Sequence, residues 1–148
     1  MITLKSIKIN RQLSEETPCF SATVYFEGKK VGTVGNRGRG GPNQYGWNDR
    51  PSNPDVEAWA LANVGDASYC DSPIDVFVNR ALDNFEEQKQ FKSWCRNKTV
   101  FNLVGDAAGT FRTINRKWCQ AISNYLASEY GDRVDRVINQ ELYGCPKA

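Results

Sequence analysis

The apolar residues of this chain follow two different periods in separate blocks, and this separation constrains the fold most. In the first 36 residues, and most clearly over 20–26, apolar and polar residues alternate, which is typical of strands with one face on a core. Over 74–85 the apolar residues recur every three or four positions, which is typical of an amphipathic helix. Strand runs that stand apart from helix runs predict an α+β fold rather than a doubly wound parallel sheet.

The predicted order is βββ-αα-ββ-αα, with a mostly antiparallel sheet of about five strands and helices packed on one face. The 148 residues suit one hydrophobic core, so we expect a single domain over 1–148. Its predicted parts are a three-stranded sheet (2–36), a glycine-rich loop (36–53), helices (54–96), a hairpin (98–115) and C-terminal helices (116–142).

Short sequence patterns predict where several strands and helices begin, end or bend. A break in the alternation predicts a bulge near Lys5-Ser6. Asn53 before Pro54 predicts the start of one helix, and Ser72 to Asp75 predicts a capped start for the next, with the carboxylate returning a bond to the cap. The apolar register drifts near 88–90, where we expect a bend or break. Asp132 is expected to cap the last helix.

The chain has no histidine. This excludes mechanisms that use a Ser-His-Asp triad, a Cys-His pair or histidine-ligated zinc. No phosphate loop or metal-ligand spacing is present either, so we expect a protein that is not an enzyme, with no catalytic residues, no metal and no cofactor.

Five cysteines are scattered without any C-x-x-C pair: Cys19, Cys70, Cys95, Cys119 and Cys145. This spacing suits neither a zinc site nor a small disulfide scaffold, so we expect free thiols that pack as small apolar side chains. The first residues lack the layout of a signal peptide, and no apolar run has the length of a membrane span. We therefore expect a cytoplasmic protein that does not bind membranes.

The formal net charge of +2 is unevenly distributed. Residues 1–50 hold eight Lys/Arg against four Asp/Glu, whereas 51–110 hold five against nine. Capture of nucleic acid by bulk charge is not expected at so small a net charge, and a local basic site remains open.

The most informative segment is the glycine-rich loop. Its glycines can adopt positive φ and turn their N–H groups into an anion-binding concavity, its arginines can contact phosphate or carboxylate oxygens, and its aromatic residues could stack a base. The candidate binding residues are Arg37, Gly38, Arg39, Gly40, Gly41, Asn43, Tyr45 and Trp47. The alternative is a purely structural turn with solvated arginines.

Other candidate sites have weaker patterns. Glu15-Glu16 is expected to be a solvated pair, because adjacent residues in an extended loop point apart. Asp66, Asp71 and Asp75 lack the spacing of a metal site. A basic cluster at a helix start, formed by Arg112, Arg116 and Lys117, could hold an anion or could be an exposed face.

Several segments together resemble a family of small uncharacterised proteins encoded by phages and prophages. The resemblance covers about residues 10–45 well and 98–140 loosely, and the middle helical segment does not match. It is carried by Leu-Ser-Glu-Glu-Thr (13–17), Phe-Ser-Ala-Thr-Val (20–24), Gly-Lys-Lys-Val-Gly (28–32), Asn-Arg-Gly-Arg-Gly-Gly (36–41) with Asn43, and Tyr-Gly-Asp-Arg-Val (130–134). The family has no assigned activity, so the resemblance implies an accessory phage protein in the bacterial cytoplasm.

These observations lead to three hypotheses. The first is a counter-defence binding protein, similar in role to an anti-CRISPR, which binds a host defence protein or complex or sequesters a small nucleotide signal. The second is a DNA- or RNA-binding accessory protein that uses the Arg/Gly-rich loop. The third is an enzyme of nucleotide metabolism that works without histidine. The oligomeric state is not predicted.

Overall fold

The computed structural model describes residues 1–48, 52–64 and 72–146 and confirms the α+β fold class. The chain divides into two compact units, Met1–Phe85 and Glu86–Ala148, and the single domain stays a prediction. The helices and strands, in chain order, are β1 (Ile2–Ile9), β2 (Cys19–Phe26), β3 (Lys29–Arg37), β4 (Gln44–Trp47), α1 (Pro54–Val64), α2 (Pro73–Cys95), β5 (Thr99–Leu103), β6 (Arg112–Ile114), α3 (Gln120–Tyr130), β7 (Val134–Val137) and α4 (Ile138–Tyr143).

The first unit contains a four-stranded antiparallel sheet in the order β1-β2-β3-β4. The pairing of β1 with β2 shifts between Lys5 and Lys8, and Ser6 has a φ of 53°, so the predicted bulge is confirmed. The segment 36–53 was expected to be loop throughout, and β4 lies within it because Tyr45 and Trp47 alternate with exposed neighbours and pair with β3.

One face of this sheet is covered by α1 and by the first part of α2. The prediction placed the helices on one face of a single sheet of about five strands, whereas the strands form one sheet of four and another of three. The residues that share this core are mostly apolar and include Phe20, Ala22, Val24 and Val34 from the sheet and Val56, Ala60, Val64, Ile74, Val78 and Leu82 from the helices. Because side chains alternate along each strand, the opposite face carries a separate set of residues.

The helix starts agree with the sequence signals, with one correction. Asn53 Oδ1 accepts a hydrogen bond from Val56 N at 3.4 Å, so the predicted cap of α1 is confirmed. In α2 the first-turn N–H groups of Asp75 and Val76 donate to the carbonyl of Ser72. The Asp75 carboxylate does not return to Ser72; it accepts bonds from two side chains of the β3–β4 region instead.

The helix α2 continues through 88–90 without the expected break, and the boundary between the two units falls within it. Past Phe85 its apolar residues Phe91 and Cys95 belong to a second core, which explains the drift in register. None of the helices among the described residues is both long and apolar enough to cross a membrane.

The second unit contains a three-stranded antiparallel sheet in the order β6-β5-β7. The predicted hairpin over 98–115 is confirmed, and α3 ends before Gly131 as predicted. The last predicted helix is wrong over Val134–Val137, which forms β7. The β-branched residues Val134 and Val137 pair with Leu103 and Phe101 of β5, so tertiary pairing overrides the helical spacing there.

Asn139 fixes the start of α4 to the start of β5. The residue is fully buried. Its Oδ1 accepts from Val100 N at 2.7 Å, and its Nδ2 donates to the carbonyls of Lys98 at 2.8 Å and Cys95 at 3.4 Å. One amide side chain therefore satisfies backbone groups from a helix end, a turn and a strand.

We expect Asn139→Ala to lower the free energy of unfolding by roughly 2–4 kcal/mol, because it leaves buried backbone groups without partners. Urea denaturation followed by far-UV circular dichroism measures this change. The exposed Asn124→Ala should stay within about 0.5 kcal/mol of the wild type. A loss for Asn139→Ala no larger than that of Asn124→Ala would contradict the role of the buried amide.

Candidate functional site

The glycine-rich loop joins the end of β3 to the start of β4. Gly38, Gly40 and Gly41 have φ values of 83°, 81° and 87°, so the positive φ predicted for them is found. At position 38 a side chain is also excluded by space, because a Cβ would collide with the carbonyl oxygen of Leu13. The loop thus depends on glycine both for its backbone angles and for its close approach to the 10–19 connection.

The side chain of Asn36 lies at the centre of the loop. It is 9% exposed and makes four hydrogen bonds. Its Oδ1 accepts from Thr17 Oγ1 at 2.8 Å and from Gly38 N at 2.9 Å. Its Nδ2 donates to the Gly41 carbonyl at 3.1 Å and to Asn43 Oδ1 at 3.2 Å. The amide therefore spans the loop from its first turn to its last.

A second set of bonds ties the loop to the segment before β2. The carbonyl of Gly38 accepts from the N–H groups of Glu15 at 2.8 Å and Glu16 at 3.0 Å. The hydroxyl of Thr17 accepts from Gly40 N at 3.3 Å. The loop is consequently held on two sides before any ligand binds.

This bonding corrects the predicted anion cradle at two of its three glycines. The N–H groups of Gly38 and Gly40 donate to the Asn36 and Thr17 side chains, so they are not directed at an external phosphate. What the loop offers to a partner is its side chains rather than its backbone.

The far side of the loop is joined to α2 through Asp75. Its Oδ1 accepts from Tyr45 Oη at 2.6 Å and from Asn43 Nδ2 at 2.8 Å. Burial and then the bond to the Asp75 carboxylate raise the pKa of Tyr45 well above its usual range. The phenol therefore stays protonated and keeps donating to Asp75 at neutral pH.

Tyr45 and Trp47 do not lie together on an open surface. Both are partly buried against the core of the first unit, and their rings stack on each other with centroids 5.4 Å apart and an interplanar angle of 11°. The base-stacking role considered for them from the sequence would have to compete with this packing.

Arg37 and Arg39 are both exposed and flank Gly38. Neither forms a salt bridge with another described residue. Two exposed guanidinium groups, one on each side of Gly38, are available to carboxylate or phosphate oxygens of a partner.

A cleft of about 600 Å³ lies beside the loop. Its walls are the loop, the end of the 10–19 connection and one face of α2. The lining residues are Thr17, Pro18, Asn36, Gly41, Pro42, Asn43, Asp75, Asn79, Leu82 and Asp83. They include two carboxylates and three side-chain amides but no cation, so the cleft attracts hydrogen-bond donors and positive charge and disfavours phosphate.

The weaker candidate sites are placed as follows. Glu15 and Glu16 are exposed, as expected. Arg112 lies in β6 rather than at a helix start, and its guanidinium forms a bidentate pair with Asp106 at 2.8 and 2.9 Å. This pair lowers the pKa of Asp106 to about 2. Arg116 is exposed and precedes α3 by several residues, so the basic cluster predicted at a helix start is wrong.

The cysteines do not behave as one class. Cys95 is buried, and burial raises its thiol pKa, whereas Cys119 and Cys145 are exposed, contrary to the expectation of packed thiols. Cys70, Asp66 and Asp71 lie outside the described residues. Within the described part of the chain, no group of three or more Cys, Asp and Glu residues could hold a metal ion.

Of the side chains that build the site around the loop, the sequence singled out Asn43 and Tyr45 as candidate binding residues. It did not single out Asn36, where the predicted sheet and loop meet, or Thr17, Asn79 and Asp83. The available signal was the recurrence of Asp75, Asn79 and Asp83 at helical spacing, which places three polar groups on one face of α2.

We expect Asn36→Ala to lower the free energy of unfolding by roughly 2–4 kcal/mol, since it removes a buried acceptor and a donor at once. Urea denaturation measures the loss. The exposed amide of Gln44, removed in Gln44→Ala, is the matched control and should change stability by less than about 0.5 kcal/mol. Equal effects of the two substitutions would show that the loop does not depend on the Asn36 amide.

Stability should also depend on pH through Tyr45. A raised pKa means that the folded state holds the phenol proton, so its contribution is complete below about pH 10 and is lost as the pH rises further. Above about pH 10 the unfolding free energy of the wild type should fall more steeply than that of Tyr45→Phe, by up to about 1.4 kcal/mol per pH unit. Parallel curves from denaturation between about pH 8 and about pH 11.5, which brackets the ordinary tyrosine pKa of about 10, would contradict this.

No family model, no curated protein and no solved structure matches this chain.

Proposed function

We propose that this chain is a small, non-enzymatic, phage-encoded protein that acts in the bacterial cytoplasm by binding a host defence protein or complex. The observation that carries the proposal is a loop that is hydrogen-bonded on both sides and presents Arg37 and Arg39 next to an acidic cleft. Counter-defence as the biological role comes from the phage resemblance of residues 10–45 and 98–140.

The hydrogen bonds that hold the loop in one conformation support the proposal that it binds a partner. A loop whose buried amide and backbone carbonyl are already bonded loses little conformational entropy when a partner docks. The bonds of Asn36, Thr17 and Gly38 make such a pre-organised surface from a segment that is otherwise rich in glycine.

The charge pattern favours a protein partner over a nucleotide. Arg37 and Arg39 are positive, whereas the neighbouring cleft carries the Asp75 and Asp83 carboxylates. A protein surface with both acidic and basic groups can complement this arrangement, because charge complementarity across an interface is local. A free nucleotide would meet carboxylates in the cleft and few free backbone donors in the loop.

The proposal is tested by affinity purification of the tagged protein from lysates of bacteria that carry defined defence systems. The wild type should retain a defence protein, and the double variant Arg39→Ala with Asp83→Ala should lose most of it, at least tenfold by quantitative mass spectrometry. Phage plating on the same strains should fall in parallel for the variant.

Arg96→Ala with Glu87→Ala, which changes exposed charges outside the loop and cleft, is the matched control and should bind like the wild type. A nucleotide released from the purified protein on denaturation would favour sequestration instead. Retention of the same partner by the double variant would show that the loop and cleft are not the binding surface.

A further inference from the structure

The outer face of the first sheet carries a second surface, which shares only Arg37 with the loop, and none of its outward-pointing residues lines the cleft. Because paired residues of neighbouring strands point to the same side, the strand register defines this face row by row. The rows are Thr3–Tyr25–Lys30, Lys5–Thr23–Thr33–Gly46, Lys8–Ser21–Gly35–Gln44 and Cys19–Arg37. The intervening rows hold the core residues, so these rows lie opposite the helices.

The charge of this face is entirely positive. Lys5, Lys8, Lys30 and Arg37 are exposed, and the four rows contain no Asp or Glu. The carboxylate in the adjoining β2–β3 turn, Glu27, is engaged by the N-terminal ammonium of Met1. The face is therefore a local basic patch on a chain whose net charge is only +2.

The rest of the face is small and polar. Hydroxyl groups of Ser21, Thr23 and Thr33 lie between the cations, and Gly35 and Gly46 add no side chains to the face. A shallow groove of about 580 Å³ is lined by these glycines and reaches Arg37. A surface of cations and hydroxyls suits a phosphodiester chain.

One aromatic ring stands among the cations. Lys5 Nζ lies 4.4 Å from the centroid of the Tyr25 ring, and the two residues belong to neighbouring rows. An incoming base can take the place of the ammonium over the ring, which frees Lys5 for the adjacent phosphate. Single strands have bases free to stack in this way, whereas those of a duplex are stacked on each other.

We infer that the outer face of the β1–β4 sheet is a binding surface for single-stranded nucleic acid, with Lys5, Lys8, Lys30 and Arg37 on the phosphates and Tyr25 on a base. An acidic protein is the other polyanion to consider. It is less suited to this face, because protein interfaces are anchored by buried aromatic or aliphatic side chains and the face offers one half-buried tyrosine.

The test uses the full chain and a fluorescein-labelled oligouridine or oligothymidine of about 12 nucleotides, within the size of single-strand sites on small domains. Fluorescence anisotropy over a salt series gives the affinity and its salt slope. For four phosphate contacts the slope of log K against log salt should be about −2.8, from about −0.7 per phosphate on a single strand.

Three variants separate the contributions. Lys5→Gln, Lys8→Gln and Lys30→Gln together should lower affinity at least tenfold and reduce the slope to about −0.7, since only Arg37 remains. Tyr25→Leu should weaken binding about fivefold or more and keep the slope, because stacking is not ionic. The α2 control, Lys89→Gln and Lys92→Gln in α2 with Arg96→Gln directly after it, removes the same charge from exposed positions and should bind like the wild type.

A urea midpoint equal to that of the wild type within experimental error establishes that a variant folds. The inference is overturned by the absence of binding at low salt, by binding that the three-lysine variant retains, or by equal loss in the α2 control. It is also overturned by tighter binding to an acidic peptide or to a duplex of equal length, or by Tyr25→Leu having no effect. Arg37 belongs to both surfaces, but it is not substituted here, and neither are Arg39 and Asp83, so failure of this inference can be distinguished from failure of the proposed function.

Discussion

The buried amide of Asn36 is the interaction on which the first unit's functional region depends. An amide is suited to this place because it offers an acceptor and donors from one planar group, and all of them are used. A carboxylate would lack the donors, and an apolar residue would leave the Gly38 N–H without a partner. Three glycines with positive φ can then stand next to each other in an ordered loop, although glycine alone would favour a flexible one.

The loop carries positive side chains, and the cleft beside it is lined by negative ones. Arg37 and Arg39 project from the loop, whereas Asp75 and Asp83 line the space beside it. The sequence does not predict this arrangement, because more than thirty residues separate the arginines from the aspartates. A contact surface with both signs selects partners by the position of charges rather than by their sum, which gives specificity without a large net charge.

Much of the fold follows from the sequence where periodicity is strong. The alternation over 20–26 predicted β2, and Asn53-Pro54 predicted the start of α1, because these signals are local. The short strands β4 and β7 could not be predicted in the same way, since each forms only where a neighbouring strand offers an edge. The site was harder still: Asp75 looked like a helix cap, and only the tertiary structure brings it to Tyr45 and Asn43.

Side chains of the first sheet alternate between an inner and an outer face, and substitutions on the two faces have different effects. Inner-row residues such as Val24 and Val34 are packed in the core, so changes there are constrained by volume. Outer-row residues such as Lys5 and Thr33 contribute little to that core, and replacing them alters charge and shape while the fold persists. Substitutions on the outer face can therefore change the charge and shape of the molecular surface without disturbing the core of the first unit.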